Sequence, residues 1–154
     1  MKKNDSTIVE GFPPLMCHEP RVLILGTIPG KKSISANEYY YDNGNRMWKM
    51  LAKLATQKMP TNYAEKKVIL EHLHVVIWDY YQCVERTNST DKGILEGIPN
   101  DIVGFVRKNP TITKIAIMVM ENTKSLEKNY KISSDNPSKC FVCQKQAVST
   151  LLGL

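Results

Sequence analysis

Three short apolar runs punctuate the chain. Val22-Leu23-Ile24-Leu25, closed by Gly26, is the first. His74 then leads Val75-Val76-Ile77-Trp78-Asp79, and Lys114 leads Ile115-Ala116-Ile117-Met118-Val119-Met120. Runs of this length without alternation predict strands buried on both faces, as in a parallel sheet. Between them the period changes. Met47, Trp48, Met50, Leu51, Leu54 and Ala55 recur at helical spacing across residues 46–58, and Met59-Pro60 stops that helix. Asn62-Tyr63-Ala64-Glu65 has capping-box spacing and opens a second helix through about residue 72. A third starts at Pro99-Asn100-Asp101, carries Ile102, Phe105 and Val106 on one face, and ends at Asn109-Pro110. Beyond the third apolar run the pattern predicts a helix over residues 122–130, a short strand over 130–133 and a final helix over 142–152.

Strands that alternate with helices give a parallel sheet covered on both faces. The expected fold is therefore α/β, a three-layer α/β/α domain around a central four-stranded, mainly parallel sheet. Residues 1–20, polar and then turn-rich at Gly11-Phe12-Pro13-Pro14, read as an N-terminal arm, and residues 21–154 as a single domain. Residues 80–98 read as polar connection, with Thr87-Asn88-Ser89-Thr90-Asp91-Lys92-Gly93 as a loop. Residues 27–45 hold Gly, Pro, Ser, Asn and Asp in quantity, and a loop that long inside a compact domain is usually functional.

The 154 residues are 42% apolar and 23% charged, ordinary for a globular protein and contrary to disorder. No stretch approaches the ~18 apolar residues of a membrane span, and Met1-Lys2-Lys3-Asn4-Asp5-Ser6 leads into no signal-peptide core. An intracellular location without membrane attachment is expected. A net charge of +6 makes polyanion binding plausible without proving it. The four cysteines are too few for a disulfide scaffold, and Cys140-Phe141-Val142-Cys143 is a lone C-x-x-C where a structural zinc site wants two pairs.

In open parallel sheets ligands bind beyond the carboxyl ends of the strands. The segments there are Gly26-Thr27-Ile28-Pro29-Gly30, Asp79-Tyr80-Tyr81, Glu121-Asn122-Thr123 and residues 133–139. The first and last are rich in exposed backbone and hydroxyl donors, and the architecture predicts that they lie near one another. A P-loop counted from Gly26 needs glycine at 31, where the chain has Lys31, so nucleotide hydrolysis is not indicated. Tyr39-Tyr40-Tyr41-Asp42-Asn43-Gly44-Asn45-Arg46-Met47-Trp48 is the most informative stretch. It sets three aromatics, a carboxylate and amides just before a helix start. Aromatics suit stacking on a base and amides suit its edge. The plainer alternative is a tyrosine-rich turn with Trp48 in the core and Asp42 in an Asx-turn with Asn43-Gly44.

Together these residues resemble the uracil-DNA glycosylase superfamily, and within it the hypoxanthine-DNA glycosylase and mismatch-specific uracil glycosylase branches. The resemblance rests on Gly26-Thr27-Ile28-Pro29-Gly30, then Tyr39-Tyr40, then Asn45-Arg46-Met47-Trp48. It continues through Trp78-Asp79, Cys83, Arg86, Ser89-Thr90-Asp91 and Pro99-Asn100-Asp101-Ile102. The last family motif reads close to S-T-S-P-A-N, where this chain has Ser134-Asp135-Asn136-Pro137-Ser138-Lys139. Ile28 stands where several branches hold a polar, water-directing residue.

The resemblance implies a monofunctional glycosylase of base-excision repair. Such an enzyme hydrolyses the N-glycosidic bond of a flipped deaminated base, hypoxanthine or uracil. Its partner is DNA containing that base, it acts as a monomer, and it needs no cofactor and no metal. Isoleucine cannot direct water, and the family pattern points to Asn45 as the catalytic amide, with Asp42 a second catalytic candidate that activates water or stabilises an oxocarbenium ion. Gly26, Thr27, Ile28, Pro29 and Gly30 are expected to serve the base and water through their backbone, with Tyr40 as a stacking platform. Ser134, Pro137, Ser138 and Lys139 are expected to contact DNA. The alternative is a non-catalytic module on the same fold that binds DNA or a base.

Overall fold

A strand with no polar position must have neighbours on both edges and both faces, and the first apolar run finds them. The computed structural model of the chain describes residues 6–118 and the strand Lys139–Val142. In it, β2 (Val22–Gly26) is buried along its whole length, between β3 (Val75–Asp79) and β6 (Lys114–Ile117). β7 (Lys139–Val142) lies beyond β6, and all these pairings are parallel. Val22 sits opposite Val75 and Lys114, and Gly26 opposite Asp79.

Successive side chains of a strand point to opposite faces, so an unbroken apolar run supplies two cores at once. On one face Val22, Ile24, Val75, Ile77 and Ala116 pack with Met47, Trp48, Leu51 and Ala52 of α2 (Met47–Leu54) and with Ile69 and Leu70 of α3 (Tyr63–Leu73). On the other, Leu23, Leu25, Val76 and Ile117 pack with Ile102 of α4 (Ile102–Lys108), and Phe105 and Val106 join them. Leu51 and Leu70 are fully buried, so truncating either to alanine costs about 2–5 kcal/mol. The predicted N-cap forms, with Asn62 Oδ1 accepting the Glu65 N–H at 2.9 Å, while the Glu65 carboxylate reaches one residue further back and accepts the Thr61 N–H at 2.7 Å. α3 ends at His74, whose left-handed backbone (φ 54–56° is the αL well) turns the chain directly into β3; its own φ is 56°. Asp101 caps α4 by accepting the Gly104 N–H.

The architecture is mixed α/β, but a second sheet corrects the sequence reading. β1 (Thr7–Glu10), β4 (Tyr81–Arg86) and β5 (Ile94–Pro99) form an antiparallel sheet with β4 in the middle. Residues 80–98, read as polar connection, thus hold two strands. β4 buries only Val84 and Arg86, and β5 buries no residue fully, so no apolar run marks either. The helix predicted over 46–58 stops at Leu54, where Thr56 enters the left-handed region at φ 52°. The third predicted strand ends at Ile117. The helix predicted over 122–130 and the strand over 130–133 lie outside the described residues. Val142, expected to open the last helix, ends β7 instead.

Candidate active site

Parallel strands that stop together leave a crevice at their carboxyl ends, and here β2 and β3 stop at the paired residues Gly26 and Asp79. Two backbone bonds then tie the segments that follow. The Tyr80 N–H donates to the Gly26 carbonyl at 2.8 Å and the Tyr81 N–H to the Thr27 carbonyl at 3.1 Å. The turn 26–30 is thereby fixed against β3, and Gly30 leads into the short α1 (Lys31–Ala36).

The tyrosine-rich segment is fastened over this end of the sheet. The Tyr39 hydroxyl donates to the Pro13 carbonyl at 2.9 Å, the Trp48 indole N–H donates to the Tyr39 carbonyl at 2.9 Å, and the Tyr41 N–H donates to the buried Ser33 hydroxyl at 3.2 Å. Tyr40 between them has φ 51°, an unusual conformation for a non-glycine residue. It brings the phenol to the floor of the crevice. A Cβ built on Gly26 would lie 2.8 Å from the Tyr40 hydroxyl oxygen and 2.5 Å from Asp79 Oδ1, so only glycine leaves room for both. The Tyr40 hydroxyl and Asp79 Oδ2 are both buried without a hydrogen-bond partner among the described residues.

The result is a cavity of about 550 Å³, within the ~300–1,000 Å³ of small-molecule sites. Gly26, Thr27, Ile28, Pro29 and Gly30 line it along one wall, with Tyr40, Asp42 and Asn45 on another. Every site residue expected from the first two motifs therefore reaches one cavity. Lys32, Tyr39, Asp79, Ser89, Asp91 and Met118 line it too and were given no role by the sequence.

Asp42 and Asp79 are opposite in character. Asp42 is half exposed, its carboxylate pairs with Lys32 Nζ at 2.8 Å, and it accepts the Gly44 N–H at 2.9 Å, the anticipated Asx-turn. The Lys32 hydrogen bond, then the Gly44 N–H, hold its carboxyl below the usual range. Asp79 is 3% exposed, and burial, reinforced by the negative charge of Asp91, pushes its carboxyl up to about 7. Asp91 is held over the turn by the Thr27 hydroxyl, which donates to its carboxylate at 2.8 Å. Burial and the same two carboxylates keep the Tyr40 phenol protonated, well above its ordinary range.

Asn45 is exposed at the mouth, with its N–H on the Asp42 carbonyl and its Oδ1 accepting the Met47 N–H at 2.8 Å. Its amide hydrogens take no partner among the described residues. Ile28 is buried and its Cδ1 reaches the Gly11 backbone, 3.3 Å from where a Gly11 Cβ would stand. Lys139 opens β7 opposite Lys114, at the end where the parallel strands begin. Ser134, Pro137 and Ser138 lie outside the described residues. Among the described residues no cluster of His, Cys, Asp or Glu could hold a metal, and no helix is long and apolar enough to cross a membrane.

Residues 13–151 match the model of the uracil DNA glycosylase superfamily. The chain belongs to that superfamily. By family it is a DNA glycosylase, a hydrolase of the N-glycosidic bond. A hypoxanthine DNA glycosylase from Methanosarcina acetivorans is 29% identical over 109 residues, covering 70% of this chain and 69% of that one. One from Methanosarcina barkeri is 30% identical over 86 residues, covering 55% of this chain and 54% of its own. A solution NMR structure of a candidate uracil DNA glycosylase from Methanosarcina acetivorans superposes with a TM-score of 0.68 at 25% identity, covering 80% of this chain and 78% of that one. Of the glycosylase cavity, Asp79 and Asp91 are what residue-by-residue reading missed. Asp79 carried a signal, an acid closing an apolar strand. Asp91 reaches the cavity only because β4 and β5 form a hairpin.

Proposed function

We propose that this glycosylase excises a deaminated base, hypoxanthine or uracil, from DNA by hydrolysis in the cavity between the 26–30 turn and the 39–45 segment. The observation that carries this reading is the convergence of Tyr40, Asp42, Asn45 and that turn on a single base-sized cavity. A base inside the duplex cannot present its sugar carbon to water, so the nucleotide is extruded into the cavity. The bond from C1′ to the base nitrogen breaks with its electron pair leaving on the base. Water adds to C1′ and gives up a proton, and the products are an abasic site and the free base.

Charge separates in this reaction, positive on the sugar and negative on the base, and preorganised groups lower its barrier. Asn45, with its Oδ1 already held by Met47, has its amide hydrogens to offer to the water or to the base. Asp42, held ionised, is better suited to stabilising the cationic sugar than to taking a proton. Backbone groups of the 26–30 turn hold the base, and Tyr40 supports it from below.

The test is alkali-dependent strand cleavage of labelled oligonucleotides holding one hypoxanthine, one uracil or only normal bases, single-stranded and duplex. Cleavage at a deaminated base, reduced about 10²–10³-fold in Asn45→Ala as for loss of a transition-state hydrogen bond, supports the reading. Folded protein that binds these oligonucleotides and cleaves none would make the chain a base-binding module.

A further inference from the structure

Asp79 is a buried acid that no described residue neutralises. It is 3% exposed, it lines the cavity at its floor, and one of its oxygens is sealed without a hydrogen bond beside the equally unpartnered hydroxyl of Tyr40. No described residue forms an ion pair with it. Leaving a buried polar group unsatisfied is costly, and in a native structure a ligand or a catalytic role is one reason to keep it. A carboxyl turns readily about its last torsion, so either oxygen of Asp79 can face the cavity.

The ionisable groups facing Asp79 favour its uncharged form. Asp91, reaching in from the β4–β5 connection, repels a second negative charge, and Tyr39 and Tyr40 from the segment above are neutral phenols. The Lys32 that lines the same cavity is already paired with Asp42. A base seated over Asp79 excludes water and strengthens this preference.

We propose that Asp79 is a catalytic residue that acts as a neutral hydrogen-bond donor to the carbonyl oxygen of the leaving base. The inference rests on the glycosylase reading above and names the group that binds the departing base. Hypoxanthine and uracil both present a ring N–H beside a carbonyl, and a neutral carboxyl matches that pair with one acceptor and one donor. As the glycosidic electrons move onto the base, the carbonyl oxygen gains negative charge and the hydrogen bond from Asp79 strengthens. No proton need be transferred. Burial, which raises the carboxyl to about 7, keeps the donor largely in place below neutral pH and partly so at it.

The experiment compares wild type, Asp79→Asn and Asp79→Ala, with kcat/KM for single-hypoxanthine and single-uracil oligonucleotides measured from pH 6 to pH 8.5. Wild-type kcat/KM falls as pH rises through about 7, approaching tenfold per unit. Asn donates at every pH, so Asp79→Asn keeps activity and loses that fall. Asp79→Ala loses about 10²–10³-fold at all pH values. Full activity in folded Asp79→Ala, or an unchanged pH profile in Asp79→Asn, overturns the inference and leaves the glycosylase reading standing. If wild type cleaves no base, the glycosylase reading falls. Binding of an oligonucleotide with a non-cleavable 2′-fluoro deoxyuridine is then measured across the same pH range, and equal affinity throughout removes Asp79 as the contact.

Discussion

The buried Asp79 makes folding stability depend on pH in the opposite sense to an ordinary surface carboxylate. Its carboxyl titrates near 3.8 in an unfolded chain and at about 7 in the folded protein. The folded state thus binds the proton more tightly, and the stability this confers is complete below the unfolded value and lost as pH rises through the folded one. The full span is about 4 kcal/mol, from roughly three units at 1.36 kcal/mol each. About 1 kcal/mol is lost already at about pH 4.5 and nearly all by about pH 8, which leaves about 3 kcal/mol of change between those two conditions. Asp79→Asn removes the titrating group while keeping its shape. Other acids titrate in the same range, Asp42 and Glu65 with folded values below their ordinary ones and so with the opposite sign. Their contributions cancel when the two proteins are compared at each pH. The assay is urea unfolding of both from about pH 4.5 to pH 8. The stability of Asp79→Asn relative to wild type rises by about 3 kcal/mol across that range. Parallel curves for the two proteins would refute the assignment of a raised value to Asp79.

Gly26→Ala places a methyl group 2.5 Å from Asp79 Oδ1 and 2.8 Å from the Tyr40 hydroxyl, and overpacking of this kind costs about 1–3 kcal/mol. Urea unfolding reads that cost, and base excision falls by at least about tenfold because the floor of the cavity shifts. Asp42→Asn preserves the acceptor for the Gly44 N–H but removes the charge, so kcat falls about tenfold with KM little changed, more at low salt than at high. Asn62→Ala removes the cap of α3 at a residue that does not line the cavity, which lowers unfolding stability by about 1 kcal/mol and leaves excision kinetics little changed.

What the sequence discloses depends on how many faces of an element are buried. Val22–Gly26 and Val75–Asp79 are closed to water on both faces, so their composition alone marks them. The strand Tyr81–Arg86 buries only Val84 and Arg86 of a smaller sheet and Ile94–Pro99 buries no residue fully, so the period-2 signal is short and is broken by a charge. The same distinction applies to the cavity. Gly26–Gly30, Tyr40, Asp42 and Asn45 are neighbours in two segments, and motif and spacing draw them together. Asp79 acquires its character only from the register that sets it against Gly26, and Asp91 from a hydroxyl of Thr27 that is 64 residues away.

The two carboxyl groups of the cavity are pushed apart by their surroundings in the direction that glycosidic cleavage needs. Asp42, wet and paired with Lys32, stays charged, whereas Asp79, dry and faced by Asp91, keeps its proton up to about neutral pH. Divergent environments of this kind let two like residues take different roles at one pH. In the proposed reaction the base goes deepest, so the sugar remains near the mouth, where the fixed negative charge lies. The base, which leaves as an anion, meets at the floor a group that donates hydrogen without carrying charge. Exchanging the environments would oppose both charges as they develop. An ionised floor would repel the departing base, and a neutral mouth would offer the sugar cation nothing. The depth of the cavity therefore sets the direction of the field along the breaking bond.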